Sequence, residues 1–141
     1  MAQQAHQTLD QKRAALAWGY ASNGTADHPK SYKNLAKGAS ALIMNSGLMP
    51  TLAFYNGKDK AAQCLLDDLI CGLSQRLNGQ TLKRGQGQQM FAHFMLALQT
   101  AESRDYLRYT DEALELLTWI RQFVDAVETP TNEPGLTKEP R

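Results

Sequence analysis

Apolar residues recur along most of this chain at spacings of three and four, which is the period of an α-helix. No useful stretch alternates apolar and polar residues as a half-buried strand does. The pattern therefore predicts an all-α fold, a compact single-domain bundle of about six helices. The predicted helices cover about 9–20, 30–46, 50–55, 59–77, 89–100 and 111–127.

Residues suited to helix ends support several of these boundaries. Thr8 and Gln11 have the spacing of a capping box ahead of the first helix. Gly47 suits the left-handed position after the second helix, and Pro50 suits the first turn of the third. Thr110 is the predicted N-cap of the last helix, because two acids follow it at the positive end of the helix dipole.

Three polar stretches separate or follow the helices. An Asn-Gly dipeptide and a later proline predict a loop over 22–29. Residues 79–89 hold three glycines and four glutamines, and they predict an exposed, flexible loop. Prolines and polar residues dominate 129–141, which predicts a disordered tail after a helical domain over 1–128.

The fourth helix carries a continuous apolar face, which leaves Asp67, Asp68 and Arg76 for solvent or partners. Cys64 and Cys71 are seven residues apart on this helix, hence roughly 10 Å apart along its axis. A disulfide needs closer Cα atoms, so the two cysteines are predicted to be small buried apolar residues.

Composition excludes several classes of protein. Hydrophobic residues make up 43% and charged residues 21% of 141 residues, a balance typical of one globular domain. No apolar run reaches the ~20 residues that a membrane-spanning helix needs. The first residues lack the basic and apolar regions of a signal peptide, so we expect a cytoplasmic protein that has no membrane contact.

Catalytic and metal-binding patterns are missing from the sequence. His6, His28 and His93 are scattered, and no two of them have the spacing of a helical metal site. The Gly85-Gln86-Gly87 stretch lacks the third glycine and the preceding strand of a dinucleotide-binding motif. No nucleophile has an evident base, so the sequence predicts a protein that is not an enzyme and uses no cofactor or metal.

Charge is divided along the chain although the total is only +1. Residues 29–101 hold eight cations and three acids, whereas residues 102–128 hold seven acids and three cations. Unlike patches on one subunit can dock head to tail. Self-association is therefore one hypothesis.

Lys30, Lys33 and Lys37 lie at i, i+3 and i+7 of the second helix, hence on one side, and we call them the basic ridge. A solvated helix face is one interpretation of this spacing. The other is contact with nucleic-acid phosphates, which lysine and arginine bind without regard to sequence. The cations that would extend the ridge are Lys58, Lys60, Lys83 and Arg84.

Two blocks of residues resemble a known family. The first comprises Tyr32, Leu35-Ala36-Lys37, Ala41-Leu42-Ile43, Ser46-Gly47-Leu48 and Leu52-Ala53-Phe54-Tyr55. The second comprises Tyr106, Tyr109-Thr110, Glu112-Ala113-Leu114 and Trp119-Ile120-Arg121-Gln122-Phe123, and Arg13-Ala14 with Ala17-Trp18 fits the first helix. Together they are similar to the small α-helical subunit, the fifth Cmr subunit, of the type III-B CRISPR effector. Ile120, Gln122 and Val124 depart from the usual leucine, basic residue and alanine of that family.

The resemblance implies a non-catalytic assembly protein of antiviral defence. Such subunits stack in several copies into a short filament and help hold target RNA against the guide RNA. The implied partners are other Cmr subunits, copies of the chain itself, target RNA and guide RNA. Lys37 matches a basic position of the family, and the candidate RNA-binding residues are Lys30, Lys33, Lys37, Lys58, Lys60, Lys83 and Arg84.

Two other functions stay open. The second and third helices around Gly47 have the layout of a helix-turn-helix DNA-binding regulator, although Leu52, Ala53, Phe54 and Tyr55 offer few groups that read base edges. A helical adaptor that binds only protein is the other alternative, in which case the basic ridge would meet an acidic surface of its partner.

Overall fold

The structure, a computed structural model, describes residues 6–127, and the predicted tail over 129–141 lies outside them. Seven helices and no strand form within the described residues, so the all-α prediction is confirmed. The helices are α1 (Leu9–Asp27), α2 (Ser31–Ser46), α3 (Leu48–Asn56), α4 (Lys60–Asn78), α5 (Gln86–Gln89), α6 (Phe91–Thr100) and α7 (Ser103–Ala126).

Helix α4 is the centre of the bundle. Every residue from Leu65 to Ser74 is buried, so this helix is covered on all sides. It packs against α1, α2, α3, α5 and α7, and α7 also packs along α1 and α2. The largest fully buried apolar side chains of α4 and α7 are Leu65, Leu66, Leu69, Ile70, Leu73, Leu116, Leu117 and Ile120.

Several predicted helix ends are confirmed. The Thr8 hydroxyl accepts a hydrogen bond from the Gln11 backbone N–H at 3.1 Å, and the Gln11 side chain accepts one from the Thr8 N–H at 2.8 Å. Gly47 has a φ of 98° between α2 and α3, and Pro50 lies in the first turn of α3. These residues fix the turn between the two helices because an L side chain rarely adopts that φ.

The predicted loop over 22–29 is wrong, because α1 continues to Asp27. Gly24 is buried against the ring of Tyr32, and a Cβ at this position would overlap the ring. The glycine permits close packing of two helices and does not end the first one. The Thr25 hydroxyl is buried and donates a hydrogen bond to the Ala21 carbonyl at 2.8 Å.

The predicted start of the last helix after Thr110 is also wrong. Helix α7 begins at Ser103, and the Thr110 hydroxyl donates to the Tyr106 carbonyl inside the helix at 3.1 Å. Tyr106 packs against the core, and its hydroxyl accepts a hydrogen bond from the Met49 N–H at 3.1 Å. The contacts of Tyr106 with the core and with Met49 therefore stabilise the first turns of α7, although the exposed residues of these turns are polar.

Candidate nucleic-acid interface

The basic ridge lies on α2 as predicted, but its three lysines have different surroundings. Lys30 is exposed at the start of α2, and Lys33 is half-buried. Lys37 is exposed, and its Nζ lies 3.0 Å from Asp125 Oδ1 near the end of α7. The ridge therefore extends from the start of α2 to the α2–α7 contact.

The structure brings Lys60 and Arg84 together around a groove of about 300 Å³. His28, two residues before Lys30, lines the same groove and connects it to the start of the ridge. The guanidinium of Arg84 pairs with Asp27, which also lines the groove. Lys58 is outside the groove lining, and its Nζ lies 2.9 Å from Asp59 Oδ2. The groove thus holds cations whose charge is partly balanced by neighbouring carboxylates.

Lys83 and Arg84 belong to the loop predicted over 79–89, of which residues 79–85 are non-helical and mostly exposed as predicted, whereas Gln86–Gln89 are helical. The carboxylate of Asp67 accepts hydrogen bonds from the backbone N–H groups of Gly85 at 2.9 Å and Gln88 at 2.8 Å. The short helix α5 forms there, and Gly87 is buried against Asp67 and Cys71. The prediction that Asp67 faces solvent is wrong, because this carboxylate holds the segment in place.

Asp68 is buried as well, contrary to the prediction. The Tyr32 hydroxyl donates a hydrogen bond to its Oδ2 at 2.6 Å. The pKa of Asp68 is raised to about 8, mainly by burial and also by the nearby charge of Asp67, whereas the Tyr32 hydrogen bond opposes the shift. Asp68 is therefore largely protonated at neutral pH.

Arg76 is the third residue of α4 that was predicted to be exposed and is half-buried instead. Its Nε lies 3.4 Å from Glu112 Oε2. Arg13 donates two hydrogen bonds to the same carboxylate, from Nε at 2.8 Å and Nη2 at 2.9 Å. Burial opposes ionisation of Glu112, but the hydrogen bonds and charges of Arg13 and Arg76 outweigh it and lower the pKa.

The two cysteines are free, and Cys71 is buried while Cys64 is half-buried. Burial raises the pKa of the Cys64 thiol to about 11 and that of the Cys71 thiol to about 12. Both are neutral thiols at physiological pH, which disfavours nucleophilic chemistry.

Within residues 6–127, no group of three or more histidine, cysteine, aspartate or glutamate side chains is placed to hold a metal ion. In the same range, no helix combines the length and the apolar character that crossing a membrane requires.

An apolar groove between α2 and α3 was not predicted from the sequence. It has two adjoining parts, of about 360 and 260 Å³, and Leu42 and Phe54 line both. Phe54 is 53% exposed, and Ala41 is exposed at the edge. The spacing of apolar residues in the sequence predicts which face of α2 is buried. It does not predict a groove that forms only where two helices meet, so this surface could not be found from the sequence.

The residues that carried the family resemblance have identifiable structural roles. Arg13 of the first-helix motif binds Glu112 of the closing motif, 99 positions away in the sequence. Tyr32 binds Asp68, and Tyr106 binds the start of α3. Residues of motifs that are far apart in the sequence therefore contact one another, or other helices, and stabilise the fold.

Comparison with known proteins agrees with this arrangement. The model of the family described as CRISPR-associated protein (Cas_Cmr5) matches residues 9–127. None of the curated proteins matches the chain. The fold is similar to the X-ray crystal structure of a CRISPR-associated Cmr5 family protein from Thermus thermophilus, with a TM-score of 0.67 and 24% identity over 86% of this chain and 98% of that chain. Since the family model spans most of the sequence, the chain belongs to the Cmr5 family of CRISPR-associated proteins, the small subunits of the type III-B Cmr complex.

Proposed function

We propose that this chain is a non-catalytic structural subunit of the type III-B ribonucleoprotein that stacks with copies of itself and helps hold target RNA against the guide RNA. Its place of action would be the cytoplasm. One observation carries the RNA part of the proposal: six of the seven candidate cations have exposed side chains. They are Lys30, Lys37, Lys58, Lys60, Lys83 and Arg84.

The exposed cations favour weak, sequence-independent contact with RNA phosphates. Three of the six already have an acidic neighbour, namely Lys37 with Asp125, Lys58 with Asp59 and Arg84 with Asp27. Each copy would therefore contribute only a few phosphate contacts. Several copies side by side on one RNA strand bind it much more tightly, because every contact after the first is intramolecular.

The buried polar groups support a structural role. Asp67 binds the backbone of α5, Asp68 binds Tyr32, and Glu112 binds two arginines. Each of these carboxyl groups is occupied by a partner in its own chain. These carboxyl groups therefore link neighbouring helices to one another.

A helical adaptor that binds only protein is the second candidate, and the apolar groove between α2 and α3 favours it. The helix-turn-helix interpretation gains no such support. Helix α3 buries Leu48, Thr51, Leu52 and Tyr55, and it exposes Ala53 and Phe54 on its outer side. These side chains lack the donors and acceptors that read base edges.

Removing the basic ridge tests the RNA contact. The complex would be assembled with Lys30→Ala, Lys33→Ala and Lys37→Ala combined, and its affinity for target RNA measured over a range of salt concentrations. We expect weaker binding and a shallower salt dependence, because each lost phosphate contact on a single strand removes a slope of about 0.7.

A matched control removes three cations elsewhere, with Lys12→Ala, Arg104→Ala and Arg121→Ala on α1 and α7. The change in net charge is the same, so a general electrostatic effect would appear in both variants. Equal RNA affinity and equal salt slope for the ridge variant, the control and the wild-type complex would contradict contact between the ridge and RNA.

A further inference from the structure

The apolar groove between α2 and α3 is a first surface that contains none of the candidate RNA-binding cations and that the proposed RNA contact leaves unused. Its walls include Leu35, Gly38 and Leu42 on α2, and Phe54 on α3. The larger part has a volume of about 360 Å³ and is an open depression lined mainly by apolar atoms. An apolar concavity of this kind marks a contact site for another molecule.

The second unused surface is an aromatic patch on α1 and α7, formed by Trp18, Trp119 and Phe123. The Trp18 and Phe123 rings meet edge to face with centroids 5.0 Å apart, and Trp119 lies 5.6 Å from Phe123. Trp18 is 47% exposed. Tryptophan is highly buried on average and is enriched at the centres of protein interfaces, so its exposure here indicates a contact surface.

The groove and the aromatic patch have no helix in common. The groove lies on α2 and α3, whereas the patch lies on α1 and α7. A contact between unlike surfaces of two identical chains is heterologous, and it leaves one surface of each kind free to bind the next copy. This geometry extends a stack, whereas a two-fold dimer would end it.

Charges beside the two surfaces are complementary. Lys30 is exposed one turn before Asn34 of the groove, and Lys37 lies one turn before Ala41. Glu115, which is 53% exposed, lies one turn before Trp119 on the same side of α7. Its carboxylate is 3.9 Å from Arg13 Nη1, a long contact that leaves it able to meet a neighbour's lysine. Unlike charges in these positions favour a second copy as the occupant of the groove.

We propose that the aromatic patch of one copy docks into the α2–α3 groove of the next, with Trp18 entering between Leu42 and Phe54. The proposal rests on the stacking proposed above and names the surfaces that make it.

One variant on each surface tests the contact in the full chain. Trp18→Ala removes the inserted ring, and Ala41→Glu places a charge at the exposed edge of the groove without removing a packed group. We expect each to raise the dissociation constant for self-association at least about tenfold, measured by sedimentation at low salt. The matched controls are Leu107→Ala and Met44→Glu, at exposed positions outside the patch and the groove, and both should behave as wild type.

Mixing the two variants gives a sharper result. Trp18→Ala retains an intact groove and Ala41→Glu retains an intact patch, so an equimolar mixture should form one-to-one dimers and nothing longer. Either variant alone should self-associate at least about tenfold more weakly than wild type. Circular dichroism confirms that each is folded, and Ala41→Glu tests the contact independently if Trp18→Ala loosens α1.

The outcomes separate this contact from stacking itself. If the wild-type chain self-associates and both variants do so with the same dissociation constant, the proposed contact is overturned but stacking is not. Wild-type chain that stays monomeric up to about 1 mM would overturn the contact and count against stacking as well. Long assemblies in the mixture of variants would also overturn it.

Discussion

Asp68 and Glu112 are both buried carboxyl groups, but their surroundings shift their pKa values in opposite directions. Asp68 has a tyrosine hydroxyl as its partner and a carboxylate nearby, so burial dominates and its pKa rises. Glu112 has two arginines, whose hydrogen bonds and charges overcome burial and lower its pKa. Each carboxyl group therefore couples the stability of the fold to pH, and the two do so with opposite sign.

Replacing Asp68 with asparagine should flatten the pH dependence of stability. The folded chain holds a proton on Asp68 up to about pH 8, whereas an unfolded aspartate releases it near its ordinary pKa of 3.8. The contribution of this residue to the free energy of unfolding therefore falls as pH rises between these values. Asp68→Asn still accepts the Tyr32 hydrogen bond, and urea unfolding between pH 5 and about 8 should show a smaller slope than wild type.

The control for this change is Asp111→Asn, on an exposed residue of α7. It should leave the slope of stability against pH as in wild type. An unchanged slope for Asp68→Asn would show that Asp68 ionises normally in the folded chain.

Removing the Glu112 carboxylate should destabilise the fold strongly. Glu112→Ala leaves the half-buried guanidinium groups of Arg13 and Arg76 without their partner. We expect a loss of about 3 kcal/mol at neutral pH in urea unfolding, near the lower end for a broken buried pair, because both arginines retain some contact with water. Glu115→Ala, which removes a half-exposed acid 3.9 Å from Arg13, should cost less than about 1 kcal/mol.

The sign of the acid dependence follows from the lowered pKa. The stabilisation by Glu112 is complete above its ordinary pKa of 4.5 and is lost as pH falls through the lower value of the folded chain. Glu112→Ala should therefore be less sensitive to acid than wild type. A loss no larger than that of Glu115→Ala would contradict the buried ion pair.

Helices that are strongly periodic and carry end signals could be predicted from the sequence. The capping box at Thr8 and the glycine at position 47 act through neighbours three or four residues away, and the structure confirms both. Gly24 could not be interpreted in this way, because its role depends on Tyr32 of the next helix. A local pattern shows that glycine weakens a helix but does not show which ring packs against it.

The candidate site, too, could be predicted from the sequence only in part. Exposure of Lys30, Lys37 and Lys60 followed from helical spacing and charge. The burial of Asp67 and Asp68 did not, since a charged residue on an apolar helix is normally expected to face water. Their partners come from α2, two helices earlier in the chain, and from a glycine-rich segment whose backbone groups have no sequence signal.

Substitution of two glycines in α1 separates close packing from helix propensity. Gly24→Ala should destabilise the fold by about 1–3 kcal/mol, because the new methyl group meets the Tyr32 ring. Gly19→Ala has open space and should stabilise the same helix by up to about 1 kcal/mol. Thermal unfolding of both variants checks the pair, and a stabilised Gly24→Ala would contradict the contact with Tyr32.

At the scale of the whole molecule, the near-neutral net charge conceals a division that suits an assembly. Part of the acidic end is used inside the chain, where Asp125 pairs with Lys37 and Glu112 with Arg13. Exposed cations remain on α2, at the start of α4 and before α5. Under the proposed function, one subunit of this kind would bind RNA weakly, and repeated copies would supply the affinity.

A pull-down of the tagged full chain from its native host tests whether the chain belongs to a guide-RNA complex. Bound proteins would be identified by mass spectrometry and bound RNA by sequencing. We expect the large subunits of a type III-B effector together with guide RNA derived from CRISPR repeats. Recovery of neither, from a host shown to express that complex, would contradict the account.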